Sequence, residues 1–550
     1  MIIIIIRCCC VAVFLTLASF QTLVAQTSPS LDFNEFDIPF NRIGAPTTTM
    51  QATPDNQTVF FRVIESQNRA AIYRAPVSNS QAVDRVSVAA NSSSINGTDF
   101  RFTVNRTGSH LLYTVQAGLQ NQFQLYSYNI ASRQNIRLSG VNSSTRPRFL
   151  VNESRNQVVF IEVDIDSGLR RLMVAPISGN AAARELVATA AGQTLGTNFL
   201  DGDFFIGEDS QRVLYYLETD SDNQRDLYSV NLVGSPTPVK LNTLANIDSE
   251  EIQRLQFYNN DTQVVYRATN SNSDSNLFSV PVDGSSAPLQ LSEQQISSSG
   301  VRSRSWFIDI QEQRVIYAVG TGDTARLLSS TIETLPIHTR LDSDTNRIIN
   351  FGLLSQIPRT NQIAYLSESP PDSDLIDLYK IDRRGGTPQK INEDGTEVSN
   401  TYFANGSSFL YTRQQRSTVE DFQFQLIRYD ALADQNDVLT PIRPYPTSFN
   451  LQSIVSPNGL SIYLRSNLAD QNQFDLFQVP LSGSTETVKV NGSIPDGHFI
   501  DLNTIVLNDS LIVYRHSGPD GIATPYFINR DNITFFVIKA ENGNVFTIAL

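Results

Sequence analysis

The stretch DNQRDLYSVNLVGSPTPVKLN, residues 222–242, returns three times in altered spelling. NSDSNLFSVPVDGSSAPLQLS stands at 272–292, DSDLIDLYKIDRRGGTPQKIN at 372–392 and QNQFDLFQVPLSGSTETVKVN at 471–491. Each copy is 21 residues long, and the starts are 50, 100 and 99 residues apart. Self-similarity at a fixed interval is the mark of a repeat architecture, and it overrides the domain count that a length of 550 residues would suggest.

A second cue recurs beside these copies: an apolar triplet ending in an aromatic. It reads VFF to Phe61, LLY to Tyr113, VVF to Phe160, VLY to Tyr215 and VVY to Tyr266. The series continues as VIY to Tyr317, IAY to Tyr365, FLY to Tyr411, SIY to Tyr463 and IVY to Tyr514, with gaps of 46 to 55 residues. Within one copy the pattern is that of strands broken by turns. In residues 255–292, LQFY, QVVYRAT, LFSVPV and PLQLS are strands, separated by NNDT, NSNSDSN and DGSSA. Asn, Asp and Gly supply the tight turn geometry. Pro281 costs a ladder hydrogen bond in the third strand, and Pro480 stands at the equivalent place. Helical periodicity is missing, with AAARELVATAA at 181–191 the one short exception.

A four-stranded sheet with two apolar faces cannot hide either alone. Each aromatic contributes roughly 2–3 kcal/mol only when a neighbouring sheet covers it. The expected fold class is therefore all-β: a β-propeller of about ten four-stranded antiparallel repeats over residues 52–550, as one large ring or two smaller propellers. The Ser-rich SEQQISSSGVRSRS at 292–305 is the most linker-like place for a division. Residues 27–51 are an N-terminal segment in which DFNEFDIPF (32–40) offers a ring-closing strand beside FTIAL (546–550).

The repeat text resembles the WD40-like repeats of the TolB family, and is similar to the propellers of prolyl oligopeptidase-type peptidases. SPNGLSIYLR (456–465), DLFQVPLSG (475–483) and DLYKIDRRGGTPQKIN (377–392) carry the resemblance. The Trp-Asp ending of true WD40 blades is absent, as is the S-x-D-x-G-x-T-W box of sialidase propellers. The peptidases carry an α/β hydrolase domain with a G-x-S-x-G elbow. No such string occurs here; the nearest, GQTLG at 192–196, puts Thr194 in the nucleophile place, and no stretch is left over for the domain.

Residues 1–26 read as an export signal, with Arg7 ahead of an apolar run. An uncleaved anchor over Cys8–Ala25 is the alternative. Cys8, Cys9 and Cys10 are the only cysteines, so the mature chain has no disulfide and no thiolate metal site. A formal charge of −14 argues against a nucleic-acid partner.

Four histidines, His110, His338, His498 and His516, lie far apart. The resemblance to TolB-like oligogalacturonate lyases implies that a propeller axis can gather such residues around a metal. Oxygen ligands alternate in DIDSG (164–168), DSDNQRD (220–226), NSNSDSN (270–276) and DSD (372–374), as in calcium loops, though none is a full EF-hand pattern. Solvated turns are the competing reading, since a hairpin needs polar turn residues there in any case. There are eleven N-x-[ST] sequons, including Asn56, Asn105, Asn152, Asn260 and Asn508, and several sit in the turn before the second strand, which is expected to be exposed. Trp306 reads as a packed blade residue. No residue carries a catalytic, cofactor-binding or metal-ligating assignment, and no cofactor is expected beyond the calcium alternative.

These readings lead to an exported, non-enzymatic propeller, periplasmic or secreted, that binds a protein partner of the envelope or extracellular space. The alternative is a protein that binds or cleaves polysaccharide at the propeller axis. Neither a nucleic-acid partner nor membrane insertion after signal cleavage is expected.

Overall fold

The computed structural model describes residues 50–549 apart from connecting stretches, the longest of them 89–100; the expected ring-closing segment 32–40 lies outside the described residues. Ten antiparallel sheets follow one another along the chain. Sheet 1 is built from Met50–Ala52, Thr58–Glu65, Arg69–Pro76 and Asp84–Arg85. Sheets 2 to 10 occupy 102–137, 143–188, 193–240, 251–290, 306–340, 348–390, 397–444, 449–489 and 499–549. Each sheet is a meander in which sequence neighbours pair. The first strand is in two pieces in sheets 4 and 10, and the fourth in sheet 8. Sheet 10 adds an outer strand, Asn544–Ala549. The stretch 181–191, with its helical spacing, contains the fourth strand of sheet 3, Arg184–Ala188, because edge pairing with Arg170–Pro176 outweighs local propensity.

The core consists of separate layers, each filled from two sheets. Alternation along the second strand decides which layer a side chain enters. In sheet 4, Val213 and Tyr215 pack with Leu150, Val159 and Leu172 of sheet 3, while Leu214 and Tyr216 pack with Val264, Tyr266 and Phe278 of sheet 5. The same two-sheet layer recurs at every junction from sheets 1 and 2 to sheets 9 and 10. Thr58–Glu65 of sheet 1 lies against Ala523–Asn529 and Thr534–Glu541 of sheet 10, so the sheets close into one ring. This is a β-propeller. Across 292–305 packing continues: Val301 is buried, its N–H donates to the Ser275 carbonyl, and it joins the layer between sheets 5 and 6 with Trp306.

The aromatic series is buried throughout, but its ninth member is displaced by one residue. In sheets 4, 5 and 7 the aromatic faces an aromatic of the third strand: Tyr215 pairs Tyr228, Tyr266 pairs Phe278 and Tyr365 pairs Tyr379. In sheet 9 Phe477 pairs Leu464, so Leu464 holds that place and Tyr463 turns toward sheet 10. Prolines 76, 176, 281 and 480 all end third strands, where the missing N–H falls at the start of a turn.

The polar residue that closes each repeat, as in KLN and QLS, has a mechanical role. The N–H of the third-strand leucine donates to it: Leu227 to Asn242 Oδ1 (3.0 Å), Leu277 to Ser292 Oγ (3.1 Å), Leu378 to Asn392 Oδ1 (2.8 Å), Leu426 to Thr440 Oγ1 (2.9 Å) and Leu476 to Asn491 Oδ1 (2.7 Å). The preceding residue's N–H returns to the same leucine's carbonyl, as Leu241 does to Leu227. Both backbone groups of a buried leucine are thereby satisfied without a full fourth strand. Three sheets add a matched ion pair. Asp226, Asp377 and Asp475 accept from the amides of Asn242, Asn392 and Asn491, and from Lys240, Lys390 and Lys489 at 2.8–3.0 Å. Sheet 5 replaces the whole set with uncharged Asn276, Ser292 and Gln290. Sheet 6 moves the carboxylate to Asp342, which takes the Leu327 N–H and pairs with Arg340.

Candidate interaction face

The meander puts the first–second and third–fourth connections of every sheet at one face of the ring; the second–third and sheet-to-sheet connections lie at the other. Tight geometry keeps the first face shallow. Asn156, Asn260 and Gln313 adopt left-handed backbone there, at φ 52°, 52° and 49°. The third–fourth turns lean on the preceding sheet. A Cβ on Gly284 would lie 2.4 Å from Val239 Cγ1 of sheet 4, and one on Gly179 would lie 2.6 Å from Ile136 Cγ2 of sheet 2.

This turn face carries six of the nine large apolar side chains that are exposed among the described residues: Val233, Ile310, Leu335, Ile337, Leu432 and Leu460. Their exposure runs from 57% at Val233 to 81% at Leu335. Ile310, Leu335 and Ile337 belong to the two turns of sheet 6, while Leu432 and Leu460 belong to neighbouring sheets 8 and 9. Sequence periodicity does not reveal them, because a single apolar residue within a turn breaks no pattern.

Beneath the face, charge is spent on holding sheets together. Arg383, from the third–fourth turn of sheet 7, reaches Asp309 of sheet 6 at 3.1 Å to both carboxylate oxygens, and also bonds Gln311 and Asn361. Both partners are buried. Lys380 of sheet 7 meets Asp434 of sheet 8 at 2.6 Å and lies over the Tyr429 ring. Its bond holds the Asp434 carboxyl below the ordinary range, helped by the Tyr429 hydroxyl, while burial pushes the Tyr429 phenol up.

The residues singled out from sequence are dispersed. His110 starts the second strand of sheet 2 beside Ser109 and Asn129, and burial pushes its imidazole down. His338 is on the fourth strand of sheet 6, with Nδ1 3.4 Å from the Tyr317 hydroxyl. His516 lies in Leu511–Ser517 of sheet 10, and His498 is outside the described residues. Among the described residues no three His, Cys, Asp or Glu side chains converge as a metal site would require. Thr194 sits within a strand, Gln193–Leu195, rather than on a strand-to-helix turn.

Asp164 is committed to its own turn. The backbone N–H and the hydroxyl of Ser167 both donate to it, which holds its carboxyl below the ordinary range. Asp226 and Asn276 serve the repeat-closing networks above; 220–224, 270–274 and 372–374 lie outside the described residues. Of the sequons, Asn260 is exposed and Asn56 half-buried, whereas Asn105 and Asn152 are buried against the expectation. Asn105 Nδ2 bonds Thr107 and Ser109, and Asn152 Nδ2 bonds the Ser210 carbonyl, so both asparagines are structural. Asn508 is outside the described residues. Trp306 is fully buried in the first strand of sheet 6.

No family model and no curated protein matches the chain. Solved structures do. Dipeptidyl peptidase 4 of Porphyromonas gingivalis aligns with 78% of this chain and 65% of its own length, at 13% identity and a TM-score of 0.46. Oligogalacturonate lyase of Vibrio parahaemolyticus aligns with 68% of this chain and 96% of its own, at 14% identity and a TM-score of 0.34. A TolB of Agrobacterium tumefaciens covers 46% of this chain and 83% of its own, at 14% identity and 0.26. The chain spans less than two thirds of the P. gingivalis peptidase, and 61% of the tricorn protease, another similar structure.

Proposed function

We propose that this chain is an exported, non-enzymatic propeller that binds a protein partner of the cell envelope or extracellular space through its turn face. The reading rests on one observation: six large apolar side chains project from turns of one face, four of which hold a residue in left-handed backbone (Gly234 beside Val233, Gln313 after Ile310, Asp434 after Leu432 and Gly459 before Leu460), with the buried Arg383–Asp309 pair next to Ile310. Exposed apolar groups on a rigid base favour association, because burying them is favourable and the base loses little freedom on binding. The charged groups Arg383, Asp309, Lys380 and Asp434 beneath the face are already paired within the scaffold. The test compares affinity capture from extracts of the producing cell by the native chain and by the I310D/L335D/I337D variant. A protein retained in stoichiometric amount by the native chain and lost by a normally folded variant is the expected result. Equal capture by both, or product released from a polysaccharide or peptide incubated with the pure chain, would refute the proposal.

A further inference from the structure

Charge is unevenly distributed around the ring. Residues 50–139, which form sheets 1 and 2, contain eight arginines, no lysine and four acidic residues, within a chain whose net charge is −14. Residues 192–290, spanning sheets 4 and 5, have five basic residues against fourteen acidic. Folding collects four of the eight arginines on the outer rim of sheets 1 and 2. Arg74 is on a third strand, Arg85 and Arg137 on fourth strands, and Arg133 in the turn before the second of those. Asp84 is the acid among them. It takes Arg74 Nε at 3.2 Å and Nη2 at 2.9 Å, and Arg133 Nη1 at 3.4 Å. The Arg133 side chain is nevertheless 61% exposed, and Arg85 and Arg137 are exposed as well.

Among the described residues one carboxylate, Asp84, is recorded against these guanidiniums, which leaves the rim cationic. Arginine forks grip carboxylates with two parallel hydrogen bonds, which makes such a rim selective for acidic groups. An acidic partner is repelled by the rest of the ring, so the rim also determines how it docks. We infer that the outer rim of sheets 1 and 2 receives an acidic segment of the protein partner, its carboxylates on Arg133 and Arg137; this rests on the binding role proposed above. A uronate polysaccharide offers the same carboxylates but needs ring faces to stack on; Tyr73, Tyr113 and Tyr128 of this rim are buried, and half-buried Tyr126 has one ring face stacked on Tyr113 at 5.6 Å.

The probe is a fluorescent ten-residue Asp/Glu peptide, titrated by anisotropy against the full chain, with polygalacturonate of matched charge beside it. The inference expects binding at about 50 mM salt that fades by about 500 mM. The R133E/R137E variant should bind about tenfold more weakly or worse while its circular dichroism and melting stay native. No peptide binding at low salt, equal binding by the variant, or a preference for polygalacturonate overturns it. If the variant still captures the cellular partner while I310D/L335D/I337D does not, the rim inference fails and the turn-face proposal stands.

Discussion

Replacing Asn392 with leucine keeps the branching and heavy-atom count of the side chain and deletes its hydrogen bonding. In the native chain Asn392 Oδ1 accepts the Leu378 N–H at 2.8 Å, and Nδ2 donates to Asp377 Oδ1 and the Thr396 carbonyl, both at 2.9 Å. All of these groups are buried, so water cannot replace the lost partner. An orphaned buried N–H costs about 1–3 kcal/mol, and a buried carboxylate that loses one donor costs a similar amount. Asp377 keeps Lys390 at 3.0 Å, which limits the second cost. The expected total for N392L is about 3–5 kcal/mol. Asn392→Ser keeps an acceptor for the leucine N–H, as Ser292 does in sheet 5, and should cost about 1–2 kcal/mol. Amide exchange at Leu378 reads the local loss, and urea unfolding reads the global one. The reasoning is wrong if N392L stays within about 0.5 kcal/mol of the native chain, or if the serine variant is equally damaged.

Three further outcomes follow from the same contacts. Gly284→Ala combines an unfavourable φ of +69° with a Cβ 2.4 Å from Val239, whereas Gly168→Ala has φ +71° and open space; urea unfolding should show the first costing at least about 1 kcal/mol more than the second. Arg383→Met strands the buried Asp309 carboxylate and should cost about 3–5 kcal/mol by denaturant titration. Adding Asp309→Asn should restore most of that, since Asn still accepts the Gln311 and Glu312 N–H groups. Burial holds the Asp342 carboxyl above its ordinary range, so the folded chain binds that proton more tightly than the unfolded chain. Its favourable contribution is therefore complete below the unfolded value and lost as pH rises through the folded value. Asp342→Asn, the residue found at this place in sheets 4, 7 and 9, should raise the melting temperature at neutral pH and change little near about pH 3.

The architecture was legible because strand alternation and turn chemistry repeat ten times, so an error in one copy is outvoted by the rest. One such error is instructive: the SIY reading chose Tyr463 for its aromatic ring, but cross-strand pairing with Phe477 selects Leu464. The closing polar residue was visible as a recurring letter, yet its task of capping a leucine N–H depends on a fold-back that spacing does not encode. The helix-like spacing of 181–191 yields a strand for a related reason, since edge pairing is a tertiary effect. Candidate sites were less legible. Buried Asn105 and Asn152 look like any other sequon in one dimension, and the rim arginines are separated by up to 63 residues before the sheets bring them together.

Hydrogen exchange on the captured complex probes the binding account most directly. Slowed exchange should be confined to the turns around 232–235, 310–313, 335–337, 431–434 and 458–460, and to the rim strands at 84–85 and 134–137. Protection of the axis-lining first strands, with those turns unchanged, would place the ligand in the central channel and contradict the account.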